Sequence, residues 1–174
     1  CLILQILYSL LIFCTFVILF SAHFRMSLYE KAYGYTYLRV LTHMFMAFLF
    51  IILLVTFYRV WNEKFKLLKA YIIVAVISYL IINYVNIDVI IARGNIDIYL
   101  KTGKIDVNYL SSLSYDAVPE ITRLLDCGDA EVEGKVQKYL YKVKEQLSND
   151  ESWQSLNVSR YRARKVLSGY ELSG

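Results

Sequence analysis

Residues Leu67–Val85 read LLKAYIIVAVISYLIINYV. In water such a Val/Ile-rich run would favour a strand. Here the core of the run, IIVAVISYLII, holds no turn former and is too long for a strand, which selects a helix in lipid, where every backbone N–H and C=O must be satisfied within the segment. At about 1.5 Å per residue, a run of this length matches the roughly 30 Å hydrocarbon core of a bilayer. Two earlier stretches share the pattern: CLILQILYSLLIFCTFVILFSA (Cys1–Ala22) and VLTHMFMAFLFIILLVTFYRVW (Val40–Trp61). The first has Gln5, Ser9, Thr15 and Ser21 as its polar residues, and the second ends on Tyr58, Arg59 and Trp61, residues suited to headgroup depth. Lys69 lies near the start of the third and can snorkel. The sequence therefore predicts an all-α integral membrane protein with transmembrane helices at 1–22, 40–61 and 67–85. No comparable run follows Val85, and a small helical, membrane-proximal soluble domain is expected over 86–174.

Composition divides at the same place. The 174 residues are 57% hydrophobic with a mean hydropathy of +0.44, above the roughly 45–50% apolar content of soluble domains. Residues 1–85 carry 7 Lys/Arg against 2 Asp/Glu, while 86–174 carry 12 against 13. The positive balance thus belongs to loops beside the membrane, where it serves topology, and does not mark a nucleic-acid surface. Cys1, Cys14 and Cys127 are too few and too scattered for a disulfide framework or a metal set. The chain opens on Cys1 inside an apolar run without a basic lead, and it reads as a piece with further spans before it.

Between the first two spans, the linker 23–39 places Arg25, Tyr29, Tyr33 and Tyr37 on one i, i+4 row. That spacing fits an interfacial helix, weakened at Gly34, or equally an aromatic loop packed on the bundle. After Val85 the pattern becomes short amphipathic helices. One is expected over Asp88–Lys101 with Thr102-Gly103 as its stop. Asp106 should cap Val107–Leu113, and Ser114-Tyr115-Asp116 should cap a helix reaching about Asp126 with Pro119 in its first turn. A longer helix follows over Ala130–Leu147, with Val132, Val136, Tyr139, Leu140 and Val143 at helical spacing. A last helix is expected over Trp153–Leu167.

Residues able to carry chemistry are sparse. His23 and His43 lack further ligands at metal spacing and read as interfacial hydrogen-bonding groups. No Asp or Glu lies within the three spans, so these spans alone give no support to a proton pump or antiporter. Asp88, Asp97, Asp106 and Asp116 recur every nine or ten residues, with capping expected for Asp106 and Asp116. Arg160, Arg162, Arg164 and Lys165 form a basic cluster that either contacts anionic headgroups or is a solvated helix face. There is no Ser/His/Asp set, P-loop or dinucleotide fingerprint. No catalytic, metal or cofactor-binding residue is assigned, and no cofactor is expected.

Three segments carry a family resemblance: RMSLYEKAYGYTYLR (Arg25–Arg39), NIDVIIARGNIDIYLKTGKIDVNYLSSLSYDAVPEI (Asn86–Ile121) and SWQSLNVSRYRARKVL (Ser152–Leu167). In this order they resemble the C-terminal part of bacterial membrane proteins grouped as domain of unknown function 4173, a relative of group 4153. Tyr35 and Leu156 depart from the pattern by apolar exchanges. The resemblance implies a multi-pass bacterial membrane protein and brings no established activity, cofactor or catalytic residue. Arg25, Tyr29, Tyr33, Gly34, Arg39, Arg93, Asn95, Asp116, Pro119, Trp153 and Asn157 match the family-like pattern and form the candidate motif, either as a site or as hydrogen bonds and caps that hold the fold.

With three spans, the domain lies across the membrane from the hairpin RVWNEKFKLLK (Arg59–Lys69). A straight count of basic residues, Arg25, Lys31, Arg39, Arg93, Lys101 and Lys104 on the domain's face against Arg59, Lys64, Lys66 and Lys69 in the hairpin, favours the domain inside. The density of the four in that short hairpin favours the hairpin inside, and the balance leans to the domain on the extracytoplasmic face. The function expected first is a non-enzymatic cell-envelope protein whose helical domain binds a lipid surface or a protein partner. A transporter or channel subunit is the alternative. A membrane enzyme acting on a lipid-linked substrate near the Arg/Tyr linker is the third and least supported reading.

Overall fold

A computed structural model describes residues 2–149 and 158–170. The fold is all-α, as expected, with no strand among the described residues. The chain divides into two compact units, Cys1–Val85 and Asn86–Gly174.

The first unit is three long helices: α1 (Leu2–Tyr33), α2 (Tyr37–Trp61) and α3 (Leu67–Tyr84). All three are long and apolar enough to cross a membrane. α1 and α2 run antiparallel, zipped by Trp61 Nε1 donating to Ser9 Oγ (3.2 Å), by Phe16 edge-on to Phe50 (5.3 Å between ring centres), and by His23 beside His43. α3 joins α2 through Thr56 Oγ1 and Tyr71 Oη, 2.6 Å apart. The hairpin between them closes as Phe65 N donates to the Asn62 carbonyl while Arg59 donates to the same oxygen. Outward faces are apolar and bare: Leu38, Phe20 and Leu68 are each more than 70% exposed, the pattern of a surface that meets lipid rather than water.

The linker 23–39 is not a separate helix. Residues 23–33 continue α1 without interruption, because nothing between Ala22 and Tyr33 breaks a helix. The break is Gly34, at φ 80, whose N–H donates back to the Glu30 carbonyl (2.8 Å) in a left-handed C-cap. Tyr29 and Tyr33 keep their place on one row and stack at 6.0 Å, whereas Tyr37 opens α2 and leaves the row. α1 is therefore 32 residues, roughly 48 Å.

The second unit comprises α4 (Ile87–Thr102), α5 (Val107–Ser111), a 3-10 turn (Tyr115–Ala117), α6 (Val118–Ile121), a second 3-10 turn (Thr122–Asp126), α7 (Ala130–Asn149) and α8 (Val158–Leu167). Gly103, at φ 70, ends α4, and Asp106 caps α5 by accepting from Tyr109 N (3.0 Å), both as the sequence predicts. The single helix expected up to Asp126 is instead a 3-10–α–3-10 succession, and Ser114 makes no side-chain cap to it. Pro119 does lie in the first turn of α6. On α7, Val132, Val136, Leu140, Val143 and Leu147 are buried at i, i+4, i+8, i+11 and i+15, and Ile96, Leu110, Leu124 and Leu167 close the same core. On α4 the buried face is Ile87, Ile91, Ala92, Ile96 and Tyr99; Leu100 points to solvent.

Candidate functional site

The three-helix unit buries few side chains: Ile12, Val40 and one charged residue, Glu30, only 4% exposed. Glu30 lies near the end of α1 and faces α2, where its Oε2 meets His43 Nε2 at 2.9 Å. His43 Nδ1 in turn meets His23 Nδ1 at 3.0 Å. The antiparallel register creates this row, since it brings the last third of α1 alongside the first turns of α2. Burial falls along it, from Glu30 through the half-buried His43 to the exposed His23. An ionised Glu30 accepts from His43 Nε2–H, which leaves His43 Nδ1 as the acceptor of a proton on His23 Nδ1.

Glu30 is the residue that sequence reasoning missed. It lies outside the three apolar runs, which hold no Asp or Glu, but inside α1, which extends past the first run to Tyr33. A signal existed: Glu30 and His23 are seven residues apart, two turns along one face of a helix that nothing interrupts before Gly34. Among the described residues, no three His, Cys, Asp or Glu side chains form a metal-binding group.

The candidate motif separates into distinct places. Around the α1–α2 turn, Arg39 donates to the Gly34 carbonyl (2.5 Å) and stands 6.0 Å over the Tyr33 ring, which stacks on Tyr29. Arg25 is exposed on α1. This cluster fastens the turn that sets the α1–α2 register.

In the second unit, Arg93 pairs with Glu120 (3.3 Å), which also receives Arg123 (3.0 Å). Asn95 is half-buried on α4. Asp116 is not a helix cap: its Oδ2 accepts from Ser159 Oγ at 2.6 Å and so ties the 3-10 turn to α8. The other regularly spaced aspartates also have unlike tasks. Asp88 accepts from Ser114 N (3.2 Å) and Asp97 pairs with Arg123 (3.7 Å), so the four do not converge on a cation or substrate. Trp153 and Asn157 lie outside the described residues.

The basic cluster splits in the same way. Ala163 and Leu167 turn α8 into the core. Arg164 donates to the Leu147 carbonyl at the end of α7, and Arg160 stands over the Tyr115 ring at 5.6 Å, while Arg162 and Lys165 are exposed. Beside α7, the Tyr99 hydroxyl meets Cys127 Sγ (3.5 Å) and Asp129 Oδ2 (3.4 Å). Its hydrogen bond to Cys127, its burial and the negative charge of Asp129 hold it well above the ordinary tyrosine range.

Three span-length apolar helices, followed by a helical unit with its own core, define the class as a membrane protein. The chain belongs to the family described as domain of unknown function (DUF4153), whose model matches residues 2–124. The match covers the Glu30–His43–His23 row and crosses the Val85–Asn86 boundary as far as the second 3-10 turn, leaving α7 and α8 beyond it. No curated protein and no solved structure matches the chain.

Proposed function

We propose that this is a multi-pass protein of the bacterial cell membrane in which α1–α3 anchor a non-enzymatic docking domain, residues 86–174, on the extracytoplasmic face. The domain binds anionic lipid headgroups or a protein of the envelope. A bacterial origin and a link to group 4173 rest on the quoted sequence segments. The observation that carries the docking reading is the division of α8: Ala163 and Leu167 are buried while Arg162 and Lys165 stand outward, so the helix is fixed and its charge is presented. Basic residues near an anionic surface contribute about 1 kcal/mol each. Co-sedimentation of the 86–174 segment with anionic vesicles is therefore expected to exceed that with neutral vesicles. Replacing both exposed cations (Arg162→Gln, Lys165→Gln) should weaken it by roughly 30-fold. Equal binding to the two kinds of vesicle, or none to either, contradicts the lipid reading, and a pull-down then tests the protein partner.

Glu30 favours a second reading, a subunit of a transporter or channel. Buried carboxylates among membrane helices mark ion and proton paths, because their burial is otherwise selected against.

A further inference from the structure

The second carboxylate oxygen of Glu30, Oε1, is fully buried and has no hydrogen-bond partner. A buried acceptor left unmade costs about 1–3 kcal/mol, more when the group is charged. An ionised Glu30 would bear that cost on one oxygen, with His43 satisfying only the other. A neutral carboxyl reduces the cost, since it leaves a carbonyl-type oxygen in place of half of a charge.

Among the described residues, none donates a hydrogen bond to Oε1. On α1, Arg25, Tyr29, Lys31 and Tyr33 are exposed. On α2, Arg39 is engaged by the Gly34 carbonyl and the Tyr33 ring. On α3, which packs on α2, Tyr79 is 67% exposed, Tyr71 is bonded to Thr56, and Lys69 lies at the opposite end of the helix. Tyr35, half-buried between α1 and α2, and Tyr37, in the first turn of α2, make contacts of their own, and Tyr84 at the end of α3 is exposed. Glu30 Oε2 meets His43, and His43 meets His23.

We propose that Glu30–His43–His23 is a proton-binding site, with His23 as its entrance, His43 as its relay and Glu30 as its store. A proton from solvent adds to His23 Nε2. The Nδ1 proton of His23 passes to His43 Nδ1, and the Nε2 proton of His43 passes to Glu30 Oε2. The product is a neutral carboxyl, a His43 protonated on Nδ1 and a His23 protonated on Nε2: one proton is taken up and both imidazoles end neutral with exchanged tautomers. Each transfer runs along a contact of 2.9–3.0 Å, and the exposure gradient gives the path one open end. This site is independent of the docking domain and would stand if the domain bound nothing.

The test uses the full chain, labelled with ¹⁵N-histidine and held in neutral-lipid nanodiscs, followed from about pH 8 to 5. Imidazole ¹⁵N shifts report which nitrogen of each ring carries the proton, and a pH dye reports uptake. The site predicts that His43 moves from the Nε2–H to the Nδ1–H tautomer in step with proton arrival at His23. In Glu30→Gln, whose amide takes no proton, His43 should stay in the Nε2–H tautomer and uptake should fall by about one proton per chain. Because Glu30→Gln can disturb folding, His23→Gln at an exposed position provides the second arm. There the His43 tautomer change should also be lost. Unchanged His43 behaviour in both variants, or a His43 that keeps one tautomer throughout in the natural chain, overturns the proposal.

Discussion

Burying a carboxylate between two helices makes its partner matter more than the pair itself. Removing one member of a buried pair leaves the other uncompensated, at about 3–5 kcal/mol, whereas replacing both with apolar residues is often neutral or stabilising. His43→Ala should therefore destabilise the α1–α2 contact strongly in detergent unfolding. The double variant Glu30→Leu/His43→Leu should recover most of that loss. A double variant as unstable as His43→Ala would show that the row does not hold the helices as described. Tyr99 makes a different prediction at the same scale. Its proton is held more tightly in the folded unit than in the unfolded chain, where tyrosine titrates near 10. The corresponding stability is fully present below about pH 10 and is lost as pH rises above it. Alkaline unfolding followed by circular dichroism should begin there, and Tyr99→Phe should flatten it. An unchanged profile would place the alkaline loss elsewhere.

At the level of elements, glycines and caps decide where helices stop. Gly34 adopts φ 80, which costs an L side chain roughly 1–2 kcal/mol. Gly34→Ala should lower stability by that amount, and it should weaken the His23–His43 contact because the turn fixes the register. Asp106→Ala removes the α5 cap and should cost about 1 kcal/mol in the unfolding midpoint of the second unit. These helix boundaries were legible in the sequence wherever one residue type suffices: Gly103 ends α4, Asp106 starts α5 and Pro119 sits in the first turn of α6, each acting locally. The three long apolar helices were legible because runs of that length without a turn former select a helix. Asp116 and Glu30 were not legible as what they are. Asp116 has the spacing of a cap, yet Ser159, forty-three positions on, claims its carboxylate. Glu30 has the look of a surface acid until α2 folds back over it. Both depend on partners distant in sequence, which local propensity does not encode. Leu100 shows the opposite case: it is apolar, yet the helical phase set by Ile87, Ile91 and Ile96 turns it out.

Across the whole molecule, the two units bury their residues by different rules. The second is closed by aliphatic side chains such as Leu140, which is wholly buried. Leu140→Ala should therefore cost about 2–5 kcal/mol. The first leaves its aliphatic residues outward and turns a carboxylate inward, an arrangement suited to lipid around the helices. If α1, α2 and α3 each cross the bilayer, the α2–α3 hairpin and the chain beyond Val85 must lie on opposite sides. Paired reporter fusions at Glu63 and Gly174 measure this directly in cells. Opposite compartments are expected, with the reporter at Gly174 active outside the cytoplasm and the one at Glu63 active within it; activity of both fusions in the same compartment would contradict a three-span arrangement.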